Sequence, residues 1–217
     1  ISVIDHNNNV TRYSYDAKGN LTEVMDTRGQ RTSFSYDLQD RLASSTNPQG
    51  LTEAFSYDAN GNLTSTNNRN LQAITFNYDA VNRLIRKTLP GNQVTTFSYD
   101  SVGNLTSVID PDSTVSMAYD LANRLISTAA STPSKLAKTI SYQYDLNGNR
   151  TGMTDPQGGV TGYVYDSLNR LTSATNPSGR VTSFSYDALG RRTSMNHANG
   201  VVTSYSYDTA SQLLSLV

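Results

Sequence analysis

This chain of 217 residues has no cysteine and no tryptophan, only 5 phenylalanines, 6 prolines and 2 histidines. Without cysteine there are no disulfides and no thiolate metal sites. No apolar run is long enough to span a membrane as a helix. Ile1 is not followed by the basic and apolar regions of a signal peptide. Lys and Arg total 17 against 18 Asp and Glu, a formal net charge of −1. No basic cluster breaks that balance, so nucleic acid is not an expected partner, because binding it requires a field that displaces counterions. No helical period is visible. What remains is tyrosine, 14 of them, in a background of Ser, Thr and Asn. Threonine and tyrosine both suit a pleated, half-buried surface.

The tyrosines are ordered. Tyr-Asp pairs stand at Tyr15-Asp16, Tyr36-Asp37, Tyr57-Asp58, Tyr78-Asp79, Tyr99-Asp100, Tyr119-Asp120, Tyr144-Asp145, Tyr165-Asp166, Tyr186-Asp187 and Tyr207-Asp208. Successive steps are 21, 21, 21, 21, 20, 25, 21, 21 and 21 residues. Such periods are the mark of repeat architectures. The residue two before each Tyr is aromatic in nine of ten repeats, with Met117 the exception, and mostly Ser lies between. This alternation predicts a strand with aromatic rings on one face.

The fourth residue after each Tyr is Gly19, Asp40, Gly61, Asn82, Gly103, Asn123, Gly148, Asn169, Gly190 or Ser211. Gly, Asn and Asp accept positive φ at low cost, which predicts a tight turn held by the preceding Asp as an Asx turn. The sixth residue starts a second strand and is Leu in eight repeats, Arg150 and Arg192 being the exceptions. A second turn follows, clearest in Asn47-Pro48-Gln49-Gly50, Asp155-Pro156-Gln157-Gly158 and Asn176-Pro177-Ser178-Gly179. Asn or Asp first, Pro second and Gly fourth suit a type I turn. A 42-residue alternation overlies the repeat: Gly-Asn tight turns (Gly19-Asn20, Gly61-Asn62, Gly103-Asn104, Gly148-Asn149) alternate with Asp-Arg or Asn-Arg turns (Asp40-Arg41, Asn82-Arg83, Asn123-Arg124, Asn169-Arg170). The Arg side chains are expected to stack on Tyr rings or to bridge to a neighbouring repeat's Asp.

Residues 1–217 therefore read as a single array of ten repeats, all-β, built from hairpins joined into a long twisted antiparallel sheet of about twenty strands of roughly 5–7 residues each. The array is expected to continue at both ends. The unit from Tyr119 is stretched, with a lengthened turn near residues 129–138.

The unit Tyr-Asp-x-x-Gly-Asn-Leu-Thr-Ser…Asp-Pro-x-Gly…Thr-x-Phe-Ser-Tyr-Asp resembles the RHS/YD-repeat family along essentially the whole chain. Members include bacterial Rhs polymorphic toxins, the B and C components of Tc toxins, wall-associated bacterial proteins and animal teneurins. The resemblance implies a spiralling β-sheet shell, which in the toxins encloses a C-terminal toxic domain. It implies secretion or a cell-surface setting, with further repeats of the same polypeptide or edge-to-edge self-association as partners and a toxin as possible enclosed cargo. The family's self-cleaving core segment has no counterpart here, so no catalytic residue carries over.

The residues alone nominate no catalytic, cofactor or metal site. Ten identical Asp positions describe a turn rather than an active site. The oxygen-rich stretches Asp58–Asn62 and Asp145–Asn149 lack the Gly and Glu spacing of a calcium loop. His6 and His197 sit in second-turn regions with no triad spacing. Asn20-Leu21-Thr22, Asn62-Leu63-Thr64 and Asn104-Leu105-Thr106 match the glycosylation sequon, as the repeat generates automatically. The leading expectation is a structural wall rather than an enzyme. Its rivals are a surface module binding carbohydrate or protein through Tyr rows, and a self-associating extracellular β fibre.

Overall fold

The computed structural model describes residues 1–217 and contains twenty-one β-strands and no helix. No helix is therefore long and apolar enough to cross a membrane. The strands fall into two units. One comprises Ile1–Ser98 with Ile109–Pro111, the other Tyr99–Val108 with Asp112–Val217.

The first unit holds β1 (Ser2–Ile4), β2 (Val10–Tyr15), β3 (Leu21–Met25), β4 (Arg31–Tyr36), β5 (Leu42–Thr46), β6 (Thr52–Tyr57), β7 (Leu63–Asn67), β8 (Ala73–Tyr78), β9 (Leu84–Leu89) and all but the last residue of β10 (Gln93–Tyr99). The second holds most of β11 (Leu105–Ile109), then β12 (Thr114–Tyr119), β13 (Leu125–Thr132), β14 (Lys135–Tyr144), β15 (Arg150–Thr154), β16 (Val160–Tyr165), β17 (Leu171–Thr175), β18 (Val181–Tyr186), β19 (Arg192–Asn196), β20 (Val202–Tyr207) and β21 (Leu213–Leu216). From β1 to β10, and again from β12 to β21, each strand pairs antiparallel with the next.

The hairpin β4–β5 shows the repeating register. Ser33 faces Thr46, Phe34 faces Ser45 and Ser35 faces Ser44, but Tyr36 then faces Leu42 across a β-bulge. Ala43 is the extra residue. The same bulge lies beside Tyr15, Tyr57, Tyr78, Tyr119, Tyr144, Tyr165, Tyr186 and Tyr207. A bulge bends its strand and increases local twist. Pairing between hairpins is shorter: β3 and β4 match only from Met25/Arg31 to Glu23/Ser33. Toward the Tyr-Asp end that ladder stops, and Leu21 lies beyond its last matched pair.

Side-chain alternation follows the pleat. Along β4, Arg31, Ser33 and Ser35 are exposed while Thr32, Phe34 and Tyr36 are half-buried. The half-buried face carries the aromatic rows, with Tyr13 opposite Val24 and Phe184 opposite Met195. The other face is hydroxyl-rich, as in the 2.7 Å contact between the Ser35 and Ser44 hydroxyls. No apolar side chain is buried, and Ser45 is the one buried polar residue. A single layer of hairpins thus lacks an interior. Cohesion comes from ladder bonds and from rows of half-covered side chains touching their neighbours, the nearest-neighbour stability of repeat proteins.

The stretched unit differs from expectation. Residues 129–138 form little loop: β13 runs to Thr132, β14 starts at Lys135, and only Pro133 and Ser134 turn the chain. Ala129 faces Thr139 and Ala130 faces Lys138. The four extra residues lengthen the hairpin arms because Ala, Ser and Thr at these positions can continue the ladder, which satisfies backbone groups that a loop would leave to water.

Candidate functional site

The feature that recurs in every repeat is the tight turn after the Tyr-Asp pair. In Asp58–Asn62 the Asp58 N–H donates to the Asn62 carbonyl (2.9 Å) and the Gly61 N–H donates to the Asp58 carbonyl (3.2 Å). The Asp58 Oδ1 accepts the N–H groups of Asn60 (3.0 Å) and Asn62 (2.8 Å). This is a type I turn followed by one left-handed residue, the form that closes a hairpin with a bulge. All ten fourth positions have positive φ, from 60° at Asp40, Asn123 and Asn169 to 103° at Gly103.

The second turns share this skeleton. Asn47, Asn176 and His197 each donate N–H to the residue four on and accept from the residue three on. Sequence suggests two turn types, while the backbone uses one at most positions; the turn after β9 instead has two consecutive left-handed residues, Gly91 and Asn92. His197 heads a turn of the shared form, and His6 is exposed in another.

What distinguishes the Tyr-Asp edge is cross-linking between consecutive turns, which explains the 42-residue alternation. In a Gly-Asn turn, Asn62 Nδ2 donates both to its own Asp58 Oδ2 (2.9 Å) and to Asn82 Oδ1 in the next turn (2.7 Å). Asn20 reaches Asp40, Asn104 reaches Asn123 and Asn149 reaches Asn169 in the same way. In an Asn-Arg or Asp-Arg turn the guanidinium makes the link forward. Arg41 Nε donates to its own Asp37 Oδ2 at 2.7 Å, Nη1 donates to the Asp58 carbonyl at 3.1 Å, and the guanidinium lies 4.5 Å from the Tyr57 ring centre. Arg124 and Arg170 repeat this on Tyr144 and Tyr186. The expected stacking on Tyr is therefore present, but the ion pair is with the Asp of the same repeat, and the neighbour's Asp contributes its carbonyl.

The Asn half of the alternation at the fourth position follows from these links. A Cβ on Gly61 would sit 3.8 Å from Arg41 Nη1, and one on Gly190 would sit 3.9 Å from Arg170 Nη1. Both are ordinary contact distances, and Gly148, which follows Arg124, has open space around it, so the glycines answer to their positive φ, whereas Asn82 and its counterparts supply the acceptor that the preceding Asn requires. The ninth repeat combines both roles: Gly190 receives Arg170, and Arg191 stacks 4.8 Å from Tyr207 and donates to the Asp208 carbonyl.

The repeat tyrosines have a polar role that periodicity alone does not reveal. The Tyr36 hydroxyl donates to the Leu21 carbonyl (2.8 Å), at the place where the β3–β4 ladder has stopped. Tyr57, Tyr78, Tyr119, Tyr144, Tyr165 and Tyr186 make the equivalent bond to Leu42, Leu63, Leu105, Leu125, Arg150 and Leu171. Each ring spans the gap between hairpins and replaces a missing ladder bond.

These contacts hold the carboxylates in their charged form. The Asn amide is the main cause lowering the pKa of Asp16, Asp58, Asp100 and Asp145. The main-chain N–H of the following Arg does so for Asp79, Asp120 and Asp166. At Asp37 and Asp187 partial desolvation pulls upward, and the Arg N–H and guanidinium outweigh it. The Asp oxygens are thus committed to the turn. The amides of the sequon residues Asn20, Asn62 and Asn104 are likewise spent on two acceptors each. The twenty Tyr and Asp positions line one edge of each unit and converge on no cleft. This arrangement can extend and seal a sheet.

The RHS Repeat family matches residues 1–24, 15–52, 36–71, 78–115, 99–137, 119–160 and 165–202. The chain belongs to the RHS repeat family. No curated protein sequence matches it. Among solved structures, the RHS array is similar to TcdB2-TccC3, with TM-score 0.75 and 17% identity over 96% of this chain. It is also similar to the Photorhabdus luminescens Tc holotoxin pore, with TM-score 0.74 and 17% identity over 96% of this chain. It spans 13% and 12% of those chains. At this identity the likeness is one of fold.

Two RHS repeats in the second unit depart from the pattern on the aromatic face. Arg150, in the place of the repeat Leu, lies 5.7 Å from the Tyr142 ring centre and 5.0 Å from that of Tyr163. Arg192 lies 4.9 Å from Phe184 and 5.9 Å from Tyr205. The Tyr205 hydroxyl is the main influence pushing Arg192 further toward its charged form.

Proposed function

We propose that this array is wall: a stretch of β-sheet shell in a larger secreted or delivered polypeptide, enclosing a polypeptide cargo such as a toxin domain. One observation carries the reading. The Tyr-Asp edge is closed from hairpin to hairpin by Tyr hydroxyl bonds and by alternating Asn and Arg links, while no apolar side chain is buried. Such a sheet gains area by adding repeats and gains no interior, which suits a barrier better than a folded catalyst. The fold shared with TcdB2-TccC3 supports the same reading. Further repeats of the same polypeptide are the proposed lateral neighbours.

The test is limited proteolysis of the full polypeptide. A cargo segment shielded by the wall resists protease until the wall is opened, and Arg41→Ala combined with Tyr57→Phe makes it sensitive. Equal cleavage of cargo in the parent and in the opened variant would sink the reading.

A further inference from the structure

Seven second turns share one backbone form, headed by Asp5, Asp26, Asn47, Asn68, Asp155, Asn176 and His197. In the first six the head residue accepts main-chain N–H groups of its own turn through a side-chain oxygen. Histidine has no such oxygen. In its turn Asn199 Oδ1 takes over, accepting the Val201 N–H at 3.1 Å, and the imidazole is released from turn duty. The fifth residue of these turns is Asn9, Gln30, Leu51, Gln72, Gly159, Arg180 or Val201, so Arg180 is the one cation among them. The two departures fall in consecutive turns and line the same hollow of about 340 Å³, together with Asn176, Asn199 and the hydroxyl residues Thr161 and Thr182. Places where a repeat breaks its own local rule are where function is to be sought.

The hollow is rich in donors and free of acid. No Asp or Glu lines it. Arg180 stands exposed at its rim and takes part in no ion pair. Asn176 Oδ1 already accepts the N–H groups of Ser178 (3.0 Å) and Arg180 (2.9 Å). With the Asn199 oxygen spent on Val201 as well, both amides have their NH2 donors left to offer. A guanidinium only donates, and an imidazole carries at least one N–H in either tautomer. We propose that this hollow binds an acidic saccharide. Arg180 takes its carboxylate or sulfate, since a guanidinium matches the oxygens of such a group. The amides of Asn176 and Asn199 and the His197 ring donate to its neutral oxygens. Thr161 and Thr182, which both donate and accept, suit its hydroxyls. The size of the hollow is that of a small-ligand site. This goes beyond the wall reading and does not rest on it, because the second-turn edge has no part in the seam.

The experiment is an NMR titration of the isotope-labelled 217-residue chain with methyl glucuronide, glucose 6-sulfate, methyl glucoside and inorganic sulfate. The variants are Arg180→Gln, which copies Gln30 and Gln72, and His197→Asn, which copies Asn47 and Asn176, so the fold is kept. Expected are shifts at the Asn176 and His197 turns with at least one acidic sugar, bound about fivefold tighter than methyl glucoside, as one partly exposed charged contact allows. Which acidic sugar binds tells a carboxylate from a sulfate. Arg180→Gln brings that sugar down to the level of methyl glucoside, and His197→Asn weakens it by about threefold, the worth of one hydrogen bond. Unchanged thermal unfolding shows that both variants fold. Absence of shifts at the two turns overturns the proposal, as does equal binding of methyl glucoside or an unchanged affinity in Arg180→Gln. Inorganic sulfate bound as tightly as the acidic sugars makes the hollow an adventitious ion site only, which overturns it too. Failure here leaves cargo protection in the full polypeptide unaffected, and loss of cargo protection would not alter saccharide binding.

Discussion

The two edges of each unit share one backbone turn at most positions and are stabilised differently. At the Tyr-Asp edge, Asn62 reaches Asn82, Arg41 reaches Tyr57 and Asp58, and Tyr57 reaches Leu42. At the other edge, Asn47 and Asn176 accept N–H groups from their own turns only. Between the second turns headed by Asn176 and His197 lies an open concavity of about 340 Å³ lined by Arg180 and Asn199. Identical local geometry therefore does not imply an identical role. One edge is a seam and the other a row of separate loops, where prolines and substitutions such as Leu71 at a φ of 58° are tolerated.

Acid should break this contrast most completely. The Tyr-Asp carboxylates from Asp16 to Asp187 have lowered folded-state pKa values. Their contribution is full above the ordinary Asp value of ~3.9 and is lost as pH falls below it and through the folded-state values. Amides in the Tyr-Asp turns should then lose hydrogen-exchange protection, while turns headed by Asn47 and Asn176, which do not titrate, retain theirs. Simultaneous loss at both edges would remove the distinction.

Among single substitutions, Tyr57→Ala should cost about 2 kcal/mol in urea unfolding, from a half-buried ring and its hydroxyl bond. Tyr57→Phe isolates the hydroxyl at about 1 kcal/mol. Arg170→Ala should cost about 1 kcal/mol, since it ends a ring stack and a partly exposed ion pair. Arg180→Ala, on the open edge, should stay within ~0.5 kcal/mol, as surface substitutions generally do. Asp37→Asn should lower the unfolding midpoint because Arg41 loses its carboxylate, whereas Asp26→Asn copies what Asn47 and Asn68 already do and should leave it unchanged. Smallest is a gain: Leu71→Gly should stabilise by ~0.5 kcal/mol, the left-handed strain relieved less the entropy that Gly adds to the unfolded chain.

Much of this was legible in the residues. Spacing of the Tyr-Asp pairs gave the hairpins, and Gly, Asn or Asp at nine fourth positions marked positive-φ residues, because those preferences act within one turn, while Ser211 adopts positive φ without that preference. The longer spacing of the stretched unit reads as a lengthened turn, yet Ala129 and Ala130 pair with Thr139 and Lys138. Local composition cannot tell a polar strand from a polar loop when the deciding bonds come from the next strand.

By itself the sequence determined the period, the strands, the turns and the family, since each depends on contacts within about twenty residues or on a pattern repeated ten times. Only the tertiary structure decided which edge is a seam. Whether Arg41 bonds its own Asp or the neighbour's depends on the bulge beside Tyr36 and the short β5–β6 ladder, features of register that no single repeat encodes. The same holds for Arg150 and Arg192. The sequence marks them as departures from Leu, and only the structure shows the rings of neighbouring strands on which they stack.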